Sequence, residues 1–189
     1  RYCTFHKMRP MPFRGISVTR LRLESAQMPP DLPVFYVDRL EVSFDPARLL
    51  AGQIVPTLIV LESPKLNLVP NRQGEYELAQ LLKTVTPPGT PPGAEPVPPA
   101  TYIVRNGLFQ IQDEAVFRKD RVQVVRDVNI EMRPFREGVS LIEGSLLIEG
   151  TGRFSITGEI DHVRDSWTIE LASLPTEPIE LGPKVAGIL

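Results

Sequence analysis

The chain has 189 residues, 42% of them apolar and 23% charged, with a net charge of -2, the balance of a soluble globular protein with a packed or semi-packed apolar face. Acidic and basic residues are interspersed, and the single basic cluster, Arg118, Lys119 and Arg121, reads as a solvated turn, so no nucleic-acid footprint is expected. No apolar run approaches the ~20 residues of a spanning helix, no signal-peptide pattern is present, and the one cysteine cannot form an internal disulfide.

In chain order, residues 1–15 read as a disordered or extended segment. Strand signals begin at Ile16-Ser17-Val18 and continue at Leu21-Arg22-Leu23 after a slip of phase that a β-bulge would explain. A second strand runs from Val34 to Asp45, with Leu40, Val42 and Phe44 on one face and Arg39, Glu41, Ser43 and Asp45 on the other. Residues 46–52 form a single helical turn closed by glycine. Strands follow at Thr57 to Glu62 and, beyond the breaker Pro64, at Lys65 to Val69. Leu78, Leu81 and Leu82 then mark a short helix over 76–83.

Proline is the compositional outlier, with 20 residues in all. Seven of them fall between 84 and 99, a stretch that reads as a mobile linker or long loop because its prolines favour extended polyproline geometry. It separates a first β unit, 16–83, from a second, 100–189. The second opens with Tyr102-Ile103-Val104, an Asn106-Gly107 turn or bulge, and Leu108 to Asp113. After a turn at 118–121 come strands at Val122 to Met132, Val139 to Glu149, Arg153 to Asp161 and Ser166 to Ala172. The fold class is therefore mainly β, an antiparallel meander with one or two short helices.

Two stretches share one spelling: VDRLEVSFDP at 37–46 and VRDVNIEMRP at 125–134 carry apolar residues at their first, fourth, sixth and eighth places and end in proline. They read as equivalent strands of two successive units, each closed by its proline. The meander can be completed as a sandwich, a closed barrel, or an open curved sheet whose apolar face holds cargo. Two short helices cannot cover such a face, and an apolar patch beyond a few hundred Å² is uncommon on a soluble monomer unless it binds something.

The order of strand, turn 48–52, strand 58–61, Glu62-Ser63-Pro64-Lys65-Leu66-Asn67-Leu68, glycine turn 71–74 and helix 78–83 resembles the amino-terminal region of the bacterial AsmA-like proteins, which include the TamB-like proteins. The stretch 102–113, a strand, an Asn-Gly bulge, a strand and an aspartate, is similar to that family's recurring unit. The resemblance implies a non-catalytic segment of a long, open, twisted β-groove in the envelope of Gram-negative bacteria. Such proteins are anchored in the inner membrane and extend through the periplasm, conducting phospholipid or assisting outer-membrane biogenesis. The family's membrane helix has no counterpart in this chain, which is therefore expected to be a segment of something longer.

Catalytic chemistry is not expected. Cys3-Thr4-Phe5-His6 has metal-like spacing without the second pair a zinc site needs, and reads as a disordered terminus. Asp161-His162-Val163-Arg164-Asp165 reads as an ordinary hairpin turn, and Asp113-Glu114 as a solvated strand end. No phosphate loop or nucleophile elbow occurs, and no cofactor or metal is implied. The remaining candidates are the apolar strand positions Leu40, Val42, Phe44, Ile59, Leu61, Phe109, Ile111, Val128, Ile130 and Met132. They are either plain core or the lipid-contacting wall of a trough. The expected partners are phospholipid or another apolar ligand, other segments of the same chain, and a second copy through edge-to-edge strand pairing; the alternative role is a scaffold built on a closed β-sandwich.

Overall fold

The computed structural model describes residues 2–12, 14–24, 33–69, 100–112, 122–164 and 166–175. The helix expected over 76–83, the proline stretch 84–99 and the turn 118–121 lie outside them. The described residues form one eleven-stranded sheet. Its strands are β1 (Tyr2–Thr4), β2 (Lys7–Met11), β3 (Gly15–Glu24), β4 (Phe35–Phe44), β5 (Pro56–Glu62), β6 (Lys65–Leu68), β7 (Thr101–Gln112), β8 (Val122–Arg136), β9 (Val139–Ile148), β10 (Gly152–Asp161) and β11 (Ser166–Ser173). No second sheet faces it among the described residues, which form an open sheet and not a sandwich.

Spatial order is β1-β3-β4-β5-β7-β8-β9-β10-β11. β2 shares the outer side of β3 with β1, while β6 continues the line of β5 between β4 and β7. The meander is antiparallel except at one junction, where β5 and β6 run parallel to β7. Parallel neighbours need a long crossover, and the chain from 69 to 100 supplies it. The terminal segment is less free than its sequence suggests: Cys3 and Thr4 pair with Leu23 and Arg22, and His6 N donates to Thr19 O at 3.0 Å.

The one described helix, α1 (Pro46–Leu50), sits where the single helical turn was expected. Pro46 suits its first turn, where its missing N–H would have no partner, and the Asp45 carboxylate caps it by accepting from Ala47 N at 2.9 Å. It buries no residue and so covers none of the sheet. Pro46 thus ends β4, but Pro134 does not end β8. That strand runs on to Arg136, with Pro134 paired to Ser140 and a register shift just beyond. A bulge is where a strand accommodates a residue without an N–H.

The sheet's most consequential feature is a transverse crease. Along a regular strand every second side chain shares a face. Five successive lines of the sheet instead take one three-residue step, and all five steps fall at one level. Following the cross-strand partners, the same face is carried from Val18 to Leu21 in β3, from Val37 to Leu40 in β4, from Leu61 to Pro64 across β5 and β6, from Val104 to Gly107 in β7, and from Val125 to Val128 in β8. Four of the inserted residues, Arg20, Ser63, Asn106 and Asp127, have positive φ between 51° and 53°. The phase slip in β3 and the Asn106-Gly107 bulge are two members of this row.

Hydrogen bonds lock the crease. Asn129 Oδ1 accepts from Asn106 N at 3.0 Å, and its Nδ2 donates to Asp127 O at 2.8 Å, so one side chain ties the insertions of β7 and β8 together. Ser63 N donates to Arg105 O, and Leu108 N to Pro64 O, both at 2.8 Å. Close approach at the crease also favours a glycine. A Cβ at 107 would lie 3.1 Å from Val128 Cβ and 3.2 Å from Val104 Cγ1.

Candidate functional site: one continuous apolar face

The insertions have a simple effect. Slipping a strand by one residue moves its whole apolar set to the other side of the sheet. The sequence changes parity at the crease, and the inserted residue changes it back, so the apolar side chains stay on one face along the full length of the strands.

All ten candidate positions lie on that face. Leu40 and Val42 are opposite Leu61 and Ile59, which adjoin Val104 and Tyr102. Those in turn face Ile130 and Met132, and Phe44 follows the parity of Leu40 and Val42. Beyond the crease, Phe109 and Ile111 stand beside Leu66 and Leu68, with Val128 opposite Gly107. Val128 is fully buried, whereas the other nine are half-buried, each side chain shielded by its neighbours and open above.

The face extends further than those ten. Met132 is opposite Ile142, which lies opposite Gly158; Ile156 and Ile160 then lead to Leu171 and Trp167, with Ile169 opposite Gly158. Period-two alternation in β10 and β11 was the signal that could have added them. All eight residues of β11 are exposed, and among the described residues it pairs only with β10, with Trp167, Ile169 and Leu171 on the apolar side.

The opposite face carries ion pairs among apolar neighbours such as Leu58, Val60, Ile103 and Leu141. Cross-strand pairs join Arg105 to Glu62 at 2.9 Å, Arg133 to Glu143 at 3.0 Å, and Arg126 to Glu149 at 3.2 Å, and Asp127 at the crease meets Arg153 at 3.4 Å. Half-exposed pairs of this kind contribute at most about 1 kcal/mol each, so they matter more for keeping this side in water than for stability. A shallow depression of about 410 Å³ on this face lies among Glu143, Thr157, Glu159, Thr168 and Glu170. Glu143 and Glu159 are already engaged by Arg133 and Arg136.

The turn after β10 behaves as expected from Asp161 to Arg164. The Asp161 carboxylate accepts from Arg164 N at 2.9 Å and Val163 N at 3.0 Å, and the Arg164 N–H bond is the main cause holding its pKa below the usual carboxylate value. A contact the sequence did not reveal lies beside it: Ser140 Oγ and His162 Nε2 are 2.9 Å apart. Ser140 is fully buried, so a substrate has no approach to that oxygen, and the pair is better suited to satisfying a buried hydroxyl than to nucleophilic chemistry. Among the described residues no group of three or more His, Cys, Asp or Glu could hold a metal, and no helix is long and apolar enough to cross a membrane. Compared with protein-family models, curated proteins and solved structures, the chain matches none.

Proposed function

We propose that the chain is a non-catalytic segment of a β-groove whose apolar face holds the acyl chains of phospholipid, the role that the AsmA-like resemblance implies. The observation that carries this reading is the crease. Five strand lines each insert one residue at the same level, and the joint result is an unbroken apolar surface on a sheet with no opposing layer among the described residues. Acyl chains bind such a surface by burial alone, at about 0.8 kcal/mol per CH₂ group removed from water. No polar ligand group is then required, which matches a face without one at its centre.

In this reading the face with the ion pairs stays in water while lipid lies along the other. Among the described residues the outer ladder of β11 has no partner, and a further segment of the same chain or a second copy would add there. Placement in the periplasm, anchorage in the inner membrane and a part in outer-membrane biogenesis follow from the resemblance and share its standing as proposals.

Native mass spectrometry of the chain, expressed in a Gram-negative host and purified without detergent, tests the reading. Adducts of phospholipid mass that organic solvent removes are the expected result. A spectrum of bare protein, from a chain that is folded by circular dichroism and takes up no added phospholipid, would count against it.

A further inference from the structure

The connection from β6 to β7 has a side. The two strands are parallel neighbours in one sheet, and the chain between Leu68 and Thr101 returns from the end of one to the start of the other. Connections of this kind are right-handed almost without exception, because a twisted strand lets the chain pack back onto the sheet only that way. Handedness fixes the face that the connection passes over, once left and right are known for β6 and β7.

Stereochemistry supplies left and right. In a strand of L residues running upward, a side chain that points at the viewer has its own N–H and C=O pointing to the viewer's right. Asn67 stands on the face opposite Leu66 and Leu68, and its N–H donates to Val34 O at 3.0 Å, toward β4. Seen from the Asn67 face with β6 upward, β4 is therefore on the right and β7 on the left. From the apolar face the order reverses, and β7 lies to the right of β6. Leu174 N, which donates to Arg153 O at 2.8 Å, gives the same orientation at the β11 edge. A right-handed connection advances to the right in front of its sheet, so the chain from 69 to 100 passes over the apolar face.

Two observations agree with that path. On the same face Val37, Pro64 and Val128 form a fully buried row at the crease, although no described strand or helix lies above them. A sheet face reaches such burial against a second element, and the connecting chain carries apolar residues to supply it: Leu78, Leu81 and Leu82, with Glu77, Gln80 and Lys83 set between them. The lengths also fit. Residues 84–99, in the extended polyproline geometry their composition favours, reach roughly 50 Å at ~3.1 Å per residue. The line of β5 and β6, from 56 to 68, is about 43 Å long at ~3.3 Å per residue. The proline stretch thus suffices to bring the chain back to Thr101, which leaves the leucines near Leu68.

We propose that the segment carrying Leu78, Leu81 and Leu82 docks on the apolar face beyond the crease, over Leu66, Leu68, Phe109 and Ile111. This divides the face in two. The half bearing Leu40, Val42, Ile59, Leu61, Ile130 and Met132 stays open for cargo, and the docked leucines form one end of the trough. The proposal concerns the path of the chain and stands whether or not lipid fills the remaining half.

The test is photocrosslinking within the full chain, without added lipid. A benzophenone amino acid at Phe109 is expected to link the tryptic peptide 106–118 to the peptide 73–83, which holds all three leucines. At Gln110, on the other face, it is expected to give no such link. The double variant Leu78→Glu/Leu81→Glu is expected to lower the link from position 109 about tenfold or more. Ile111 and Gln112 repeat the comparison if the chain labelled at 109 does not fold. A link from Gln110 as strong as that from Phe109, no link from either in a folded chain, or a link undiminished by the double substitution would overturn the proposal. So would a link found only between chains in a mixture of isotope-labelled and unlabelled protein, since the occupant would then be a second copy. Failure of the lipid reading shows instead as bare protein in native mass spectrometry, and leaves the crosslink unmoved.

Discussion

Asn106→Val is expected to cost about 3–4 kcal/mol of stability, whereas Asn106→Gly is expected to leave stability unchanged or slightly raised. Asn106 is the inserted residue of β7, with φ of 53°. Valine disfavours positive φ, and an extended residue at 106 gives β7 strict alternation, which puts Phe109 and Ile111 on the opposite face and Leu108 and Gln110 on the apolar one. Two half-buried apolar side chains then lose about 1 kcal/mol or more each. The bond from Asn106 N to Asn129 Oδ1 disappears, at roughly a further 1 kcal/mol. Against the 5–15 kcal/mol that holds a typical domain together, that is a large loss. Glycine keeps the insertion and its backbone donor and suits positive φ better than any other residue. Urea denaturation followed by far-UV circular dichroism measures both. Equal midpoints for Asn106→Val and the wild type would show that the crease does not set which way the apolar side chains point.

Val128→Asp and Ile130→Asp should part company, although the two residues are neighbours on one face. Val128 is fully buried beneath the crease, where a carboxylate without a partner costs several kcal/mol, so this variant is expected to be unfolded or nearly so. Ile130 is half-buried, and a carboxylate there reaches water, so the loss is expected to be about 1–2 kcal/mol and the fold to survive. What Ile130→Asp should lose is lipid, since it sets a charge in the middle of the trough. Thermal melts and lipid analysis of the two purified variants check the contrast. If Ile130→Asp unfolds as completely as Val128→Asp, the face is the interior of a closed core.

Much of this was legible in the chain. Strand positions from β3 to β11 follow alternation and turn residues, and ten apolar positions chosen by parity fall on one face. The spelling shared by VDRLEVSFDP and VRDVNIEMRP also had structural content, though not the content its terminal prolines suggested. Their apolar first and fourth places, Val37 and Leu40 in one and Val125 and Val128 in the other, straddle the crease, and the three-residue step between them is the insertion itself. One such step looks like a local slip. Its alignment over five strand lines is a property of pairing, and pairing between distant segments leaves no local mark.

For the same reason the parallel junction of β5 and β6 with β7 escaped a reading based on successive turns. Pro134 misled because a proline at a bulge is spelled like a proline at a strand end. The Ser140–His162 contact joins residues from the start of β9 and the turn after β10, which only the hairpin register brings together.

Photocrosslinking with lipid present reads the central claim most directly, because adjacent strand residues face opposite ways. A benzophenone amino acid placed in turn at Ile59, Ile130 and Ile142, and at their neighbours Val60, Glu131 and Glu143, samples both faces in three strands. Phospholipid adducts are predicted at the first three positions and none at the second three. Adducts distributed equally over both sets, or absent from Ile59, Ile130 and Ile142 in a folded protein supplied with lipid, would contradict a lipid-bearing apolar face.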